Sequence, residues 1–212
     1  MNLGTACALW RYPIKSLRGE TLPQIEIERD GTALDRHASL VIGSDHPRRG
    51  KSYRGKEDGR LHRLVAAPEA IAAAQERDVA LAVVEADGGH AFDAAPVSLL
   101  IDRWLDGVSD AVGYRVEYER FRANILIAAT AAFAREESDL VGHALRLGTV
   151  RLRVTAPIRR CVTVTYNPER EGDDPAVLRY LATERANTMG VYCEVLRAGI
   201  VCIGDALVLE EC

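Results

Sequence analysis

Leu145-Arg-Leu-Gly-Thr-Val-Arg-Leu-Arg-Val154 sets the texture of this chain. Leucine and valine alternate with arginine along it, the period-two pattern of a strand with one face in a core and the other in water. The same alternation, or a β-branched run, recurs at Ala6–Tyr12, Gln24–Glu28, Ala38–Gly43, Val79–Glu85, Tyr114–Glu119, Asn124–Ala128, Val162–Tyr166, Val191–Arg197 and Ile200–Leu209. Turn chemistry separates the runs at Asp30-Gly31, Gly88-Gly89, Asn167-Pro168 and Gly204-Asp205. Pro68–Arg77, Pro96–Leu105 and Pro175–Ala186 read as short helices, Pro96 suiting a first helical turn. Strands at such short, regular spacing predict a mainly β fold, a barrel or sandwich rather than a doubly wound sheet.

Immediately downstream lies Thr155-Ala-Pro-Ile-Arg-Arg-Cys-Val-Thr-Val-Thr-Tyr-Asn-Pro168, where one thiol, Cys161, follows two arginines. Fixed guanidinium charge favours thiolate over thiol, and thiolate is both a nucleophile and a soft-metal ligand. The competing reading is a small buried hydrophobe, the commonest fate of a strand cysteine.

The 212 residues suffice for one substantial core or two small, intimately packed halves, with a soft division near Gly107–Gly113 separating regions 1–107 and 108–212. Hydrophobic content of 48% and charged content of 27% are those of a soluble globular chain. A net charge of −4 argues against a nucleic-acid binder. Lysine occurs only at positions 15, 51 and 56; the remaining fixed positive charge is arginine, whose rigid fork suits phosphate and carboxylate. No apolar stretch reaches membrane-spanning length, and the first residues lack a secretion signal. The cysteines, Cys7, Cys161, Cys193, Cys202 and Cys212, are odd in number and form no Cys-x-x-Cys pair. This excludes a disulfide framework, a structural zinc site and a cysteine-held cluster, and predicts a reducing cytoplasm. His37, His46, His62, His90 and His143 show no ligand spacing.

Four other segments carry groups suited to an anionic ligand. Tyr12-Pro-Ile-Lys-Ser-Leu-Arg-Gly-Glu20 follows the first strand, and Pro13 stops sheet pairing so that Lys15 and Ser16 emerge on a loop. Ammonium, hydroxyl and open backbone amides together make a phosphate seat. Arg36, in Leu34-Asp-Arg-His-Ala-Ser-Leu-Val-Ile42, stands ahead of an apolar strand, placed to grip an anion or pair with Asp35 or Glu20. Phe121-Arg-Ala-Asn-Ile-Leu-Ile-Ala128 puts Arg122 and Asn124 on one strand face, a pairing suited to a polar heterocycle. Ser44–Arg60 carries six basic residues and almost nothing to bury, which reads as a mobile loop or a cover for an anionic ligand.

Together these segments resemble the MOSC superfamily, named for the C-terminal domain of molybdenum-cofactor sulfurase, in its branch with an N-terminal β-barrel. Tyr12–Glu20, the Asp-Arg at Arg36, Phe121-Arg-Ala-Asn124, Arg160-Cys161 through Pro168, and the ending Gly190-Val-Tyr…Gly199-Ile…Gly204-Asp205 carry the likeness over essentially the whole chain. Val164 and Asn167 depart from the Thr and Asp usual there. The resemblance implies a MOSC-type β-barrel with a few short helices, packed on an N-terminal β-barrel subdomain. It implies a molybdenum cofactor (molybdopterin) with Cys161 as metal ligand and catalytic residue, and Lys15, Ser16, Arg36, Arg122, Asn124 and Arg160 around the pterin and its phosphate. The expected activity is reduction of a small N-hydroxylated or N-oxide substrate, with electrons from a separate protein. Two alternatives stand beside it: a sulfur carrier holding a persulfide on Cys161 supplied by a desulfurase, and a non-catalytic cofactor carrier. No nucleic-acid or membrane partner is expected.

Overall fold

Pairing between the first and last strands governs the architecture. The computed structural model describes residues 1–43, 45–87, 94–169 and 172–210. Its N-terminal half runs β1 (Asn2–Arg11), β2 (Glu20–Thr21), β3 (Gln24–Glu28), β4 (Gly31–Thr32), β5 (Ala38–Ile42), α1 (Ala67–Gln75) and β6 (Leu81–Glu85). There follow β7 (Val97–Ile101), α2 (Asp102–Val112), β8 (Ile125–Ala129), α3 (Glu137–Leu140), β9 (Ala144–Leu147), β10 (Val150–Arg159) and α4 (Pro175–Glu184). The chain closes with β11 (Thr188–Arg197), β12 (Gly199–Cys202) and β13 (Ala206–Leu209). Strands order as β13-β9-β10-β11-β7-β8-β1, and β1 returns to pair with β13, closing a seven-stranded barrel. Closure leaves no free edge between these strands.

The barrel interior holds the main core, including Leu3, Leu9, Leu99, Ile125, Leu152 and Val191. All its neighbours run antiparallel except β7 and β8, which are parallel and joined through α2, as a parallel pair requires a crossover. A smaller core of Leu17, Leu40, Ile42, Tyr53, Leu61, Ala70, Ala74 and Val79 lies under the β5–β6 ribbon and α1. The mainly β expectation is met, with four short helices.

Five local readings need correction. Pro96–Leu105 is not one helix: Val97-Ser-Leu-Leu-Ile101 is a strand buried at every residue between β11 and β8, and the helix starts only at Asp102. A short apolar run covered on both faces has no periodicity to separate strand from helix. The alternating Leu145–Val154 run is two strands of a hairpin, turned where Gly148 takes φ 58°, a left-handed conformation that glycine adopts without steric cost. Ile200–Leu209 divides likewise into β12 and β13. Tyr114–Glu119 is extended chain entering a 3-10 turn at Tyr118–Phe121, its Val116 N–H donating to Ser109 Oγ rather than to a neighbouring strand. Val162–Tyr166 is a 3-10 turn, closed by the Thr165 hydroxyl donating to the Val162 carbonyl at 2.7 Å. Local hydrogen bonding overrides the β preference of its valines and threonines.

The basic segment after Gly43, expected to have almost nothing to bury, is anchored. Tyr53 is 4% exposed in the small core, its N–H donates to the Leu40 carbonyl, and Ser52 bridges Val41. Ser44, the Gly88-Gly89 turn, His90 and Cys212 lie outside the described residues. Gly107 falls within α2. No helix among the described residues is long and apolar enough to cross a membrane.

Candidate functional site

A cleft of about 260 Å³ opens where one end of the barrel meets the N-terminal unit. The loop after β1 delivers Lys15 and Ser16, the turn before β5 delivers Arg36, and the basic loop delivers Arg54, Gly55 and Lys56. From the barrel come Ser98 of β7, Arg122, the end of β10 through Cys161, then Thr163, and Tyr192 of β11. Among the described residues no aspartate or glutamate lines it, although the chain holds more acidic than basic residues.

Cys161 lies two residues past the end of β10, at the start of the 3-10 turn. It is exposed, lines the cleft, and its Sγ lies 3.2 Å from the Thr163 hydroxyl. The reading as a buried small hydrophobe therefore fails for this thiol. It describes Cys193 instead, which is fully buried on β11, where burial pushes the thiol up to about 12.

Tyr12 holds the cationic wall together. Its buried ring carries two guanidinium groups, with Arg36 Cζ 4.7 Å and Arg122 Cζ 4.3 Å from the ring centre, and Trp10 stacks on the same ring at 6.0 Å. Each is a cation–π contact that places charge without a carboxylate in the cleft. Arg36 pairs with Asp35 behind the wall and donates to the Arg122 carbonyl at 3.1 Å. Asp35 also accepts the Tyr12 N–H at 2.7 Å. Arg122 donates to the Leu17 carbonyl at 2.5 Å, fixing the loop that carries Ser16. Burial raises the Tyr12 phenol well above its usual range, so it remains a neutral ring.

Backbone strain gathers on the same residues. Ser16 (φ 74°), Arg36 (φ 49°) and Arg122 (φ 51°) all adopt left-handed conformations. Each costs a non-glycine residue roughly 1 kcal/mol or more, and such strain concentrates where function fixes geometry.

His62 sits beneath this wall. Its ring stacks on Tyr166 at 5.6 Å, and its Nδ1 faces Arg122 Nη1 at 3.5 Å. Burial, aided by the Arg122 charge, lowers its pKa to about 3, so the imidazole is neutral. A Cβ on Gly55 would stand 1.9 Å from His62 Nε2; only glycine lets the basic loop pass this close.

Of the residues singled out from sequence, Lys15, Ser16, Arg36, Arg122, Arg160 and Cys161 all line the cleft. Asn124 does not. It is 1% exposed behind Ser98, its side-chain oxygen accepting from Ser98 N–H and Oγ–H at 3.1 and 2.8 Å. Its amide donates to the Trp10 carbonyl. The apolar residues that follow it draw it into the barrel wall, where it fixes Ser98. Arg160 lines the cleft with its donors already engaged, to the Met189 carbonyl through Nε and Nη2 and to the Phe121 carbonyl at 2.9 Å. Burial lowers it to about 10, opposed by the charges of Tyr192 and Cys161. It serves as a strut.

Arg159, read from sequence as one of two arginines favouring the thiolate, and Arg54 and Lys56 of the basic loop also line the cleft. Tyr12, His62, Ser98, Thr163 and Tyr192 had no individual role from sequence; Thr163 lies two residues after Cys161, and the others reach the site through tertiary contacts. Arg120 was missed too. Fully buried at its side chain, it pairs with Glu117 at 2.7 Å and Asp174 at 2.9 Å, and Asn167 donates to Glu117 at 3.0 Å. This network ties the segment after Cys161 to the Phe121 turn.

The profile of the MOSC domain matches residues 87–208, and that of the MOSC N-terminal beta barrel domain matches residues 3–92. Mitochondrial amidoxime-reducing component 1 of Xenopus laevis is 28% identical over 129 residues, a match covering 53% of this chain and 36% of that protein. The matched stretch thus spans about a third of that relative's length. The crystal structure of the YUAD protein from Bacillus subtilis superposes with a TM-score of 0.59 at 14% identity, covering 97% of this chain and 94% of that one. A crystal structure titled only as a hypothetical protein gives 0.51 at 11% identity, covering 100% and 69%. These two likenesses concern the fold. With both profiles matched in tandem, this chain belongs to the MOSC domain family and carries that family's N-terminal β-barrel domain.

Proposed function

We propose that the cleft seats a molybdenum cofactor and that the protein is an oxidoreductase acting on small N-hydroxylated or N-oxide compounds. The observation that carries this reading is one exposed thiol in a cleft lined by cations and, among the described residues, by no carboxylate. Among the described residues no group of three or more His, Cys, Asp or Glu side chains is placed to hold a metal. A metal here would have to arrive on its own organic ligand and take one further donor from the protein. Cys161 is that donor, a soft sulfur suited to molybdenum. Lys15, Ser16, Arg36 and Arg122 suit the phosphate end of a pterin, offering fixed charge, a hydroxyl and donors held by Tyr12. The fit extends to similarity with an amidoxime-reducing component.

When bound, the cofactor supplies two-electron redox chemistry. The chain's own contribution is to bind, orient and screen. Arg160 rigidifies the end of β10 so that Cys161 Sγ is held at the cleft floor. Thr163 places a hydroxyl 3.2 Å from that sulfur. Removing oxygen from nitrogen consumes two electrons and two protons, the oxygen leaving as water. The electrons would come from a separate electron-transfer protein. Because Cys161 is exposed, a second reading has an observation in its favour: the thiol would carry persulfide sulfur handed over by a desulfurase.

The test is reduction of a small N-hydroxylated amidine by cofactor-loaded protein under a chemical reductant. Cys161→Ala is expected to lower the rate by about three orders of magnitude or more, as for loss of a residue holding the reacting centre. Full activity in that variant would contradict the proposal. Sulfur released by cyanide from metal-free protein, and lost in the same variant, would favour the sulfur carrier.

A further inference from the structure

The cationic lining continues past the cleft. A second, shallower hollow of about 470 Å³ is lined by Lys15, Pro47, Arg48, Arg49, Lys51, Ser52 and Arg54. It shares Lys15 and Arg54 with the cleft, so the two form one trough. Five of its seven lining residues are cationic and none is acidic. Glu57, which does not line the hollow, pairs with Arg48 at 2.7 Å and Arg54 at 2.8 Å. Burial works against its ionisation, but the hydrogen bonds from Arg54 and Arg48 prevail and hold it at about 2. Both arginines are thereby fixed in position. Arg49 and Lys51 are exposed at the rim, with no side-chain ion pair among the described residues.

Tyr53, buried in the small core, pins the loop that carries these groups. Like charges gathered on an anchored loop repel one another; Arg48 and Arg54 are offset by Glu57, and the exposed Arg49 and Lys51 add charge beyond that pairing. A counter-charge relieves it. The hollow is concave and comparable in volume to a small-molecule site, which favours a compact polyanion over a flat protein partner.

We propose that this second hollow binds a further phosphate beyond the one at Lys15, so that the trough takes a ligand bearing a diphosphate. This inference rests on the reading of the cleft as a cofactor seat. A phosphate held at Lys15 stands at the junction of the hollows, and the next phosphate of a chain would enter between Arg49, Lys51 and Arg54. The diphosphate could belong to a nucleotide-extended form of the cofactor or to a separate ligand lying beside it.

Calorimetric titration of the full chain with inorganic phosphate and with inorganic pyrophosphate, at fixed pH and salt, tests this. Pyrophosphate is expected to bind about ten-fold or more tighter than phosphate, the gain of added charge-assisted contacts. The Arg49→Gln/Lys51→Gln double variant should lose that preference and leave phosphate affinity unchanged. Both substitutions are on the surface; an unchanged circular dichroism spectrum and melting curve would confirm the fold. Equal affinity for the two anions, or equal weakening of both by the double variant, would overturn the second site alone. Failure of Arg122→Gln to weaken phosphate would instead count against the cofactor seat. Tighter binding of polyglutamate than of pyrophosphate would overturn the diphosphate in favour of an acidic polypeptide. Nucleotide released by acid from purified protein would assign the diphosphate to the cofactor; pyrophosphate binding with no nucleotide released would assign it to a separate ligand.

Discussion

Cys193 lies within β11 and Cys161 just past the end of its neighbour β10, yet their surroundings are opposite. Cys193 lies mid-strand on β11, sealed among core residues, and burial alone pushes its thiol up to about 12. Cys161 lies just past the end of β10, exposed in a cleft with no carboxylate among its described lining residues. The same side chain serves packing in one place and is available for chemistry in the other. Position along the strand decides which: mid-strand the thiol packs among the apolar side chains of the core, whereas past the strand end the chain turns and the thiol meets the cleft.

Three experiments would break or sharpen this contrast. The largest effect should be in labelling by a thiol reagent, read residue by residue by peptide mapping. Cys161 should react about a hundred-fold or more faster than Cys193, whose modification waits on opening of the barrel. Comparable rates would show the two environments to be alike. Next in size is stability. Cys193→Ser should cost about 2 kcal/mol in urea unfolding, by placing a hydroxyl in hydrocarbon, whereas Cys161→Ser should stay within about 0.5 kcal/mol of the parent. A large loss at Cys161 would reveal a structural thiol.

The third experiment concerns His62, whose effect is confined to acid pH. Its folded pKa of about 3 lies below its unfolded value near 6.5, so the unfolded chain binds a proton that the folded chain refuses. The stabilisation it supports is complete above about pH 6.5 and falls away as pH drops toward 3, with a slope of at most about 1.4 kcal/mol per unit. His62→Gln should flatten that part of the stability–pH curve. An unchanged curve would mean that the imidazole is free to protonate in the fold.

How much of this was legible beforehand follows from the range of the forces involved. Alternation marked the barrel strands because one face of each packs inward, and Cys161 stood out because its arginine neighbours are adjacent in sequence. The run Val97–Ile101 was misread since burial on both faces erases periodicity. Val162–Tyr166 was misread since hydrogen bonds within the turn prevailed over β preference. Asn124 was placed in the site through its i, i+2 relation to Arg122; the left-handed backbone at Arg122 breaks that relation just before β8 begins. The contacts of Arg36 and Arg122 with the Tyr12 ring, and the approach of Gly55 to His62, join segments separated in sequence and leave no local trace.

The cofactor assignment is tested most directly by elemental analysis for molybdenum, paired with fluorescence of released pterin, on protein made in a cofactor-competent host. The account predicts about one molybdenum and one pterin per chain in the parent, with molybdenum lost from Cys161→Ser. A parent free of both, or a Cys161→Ser variant that keeps its full complement of metal, would contradict it.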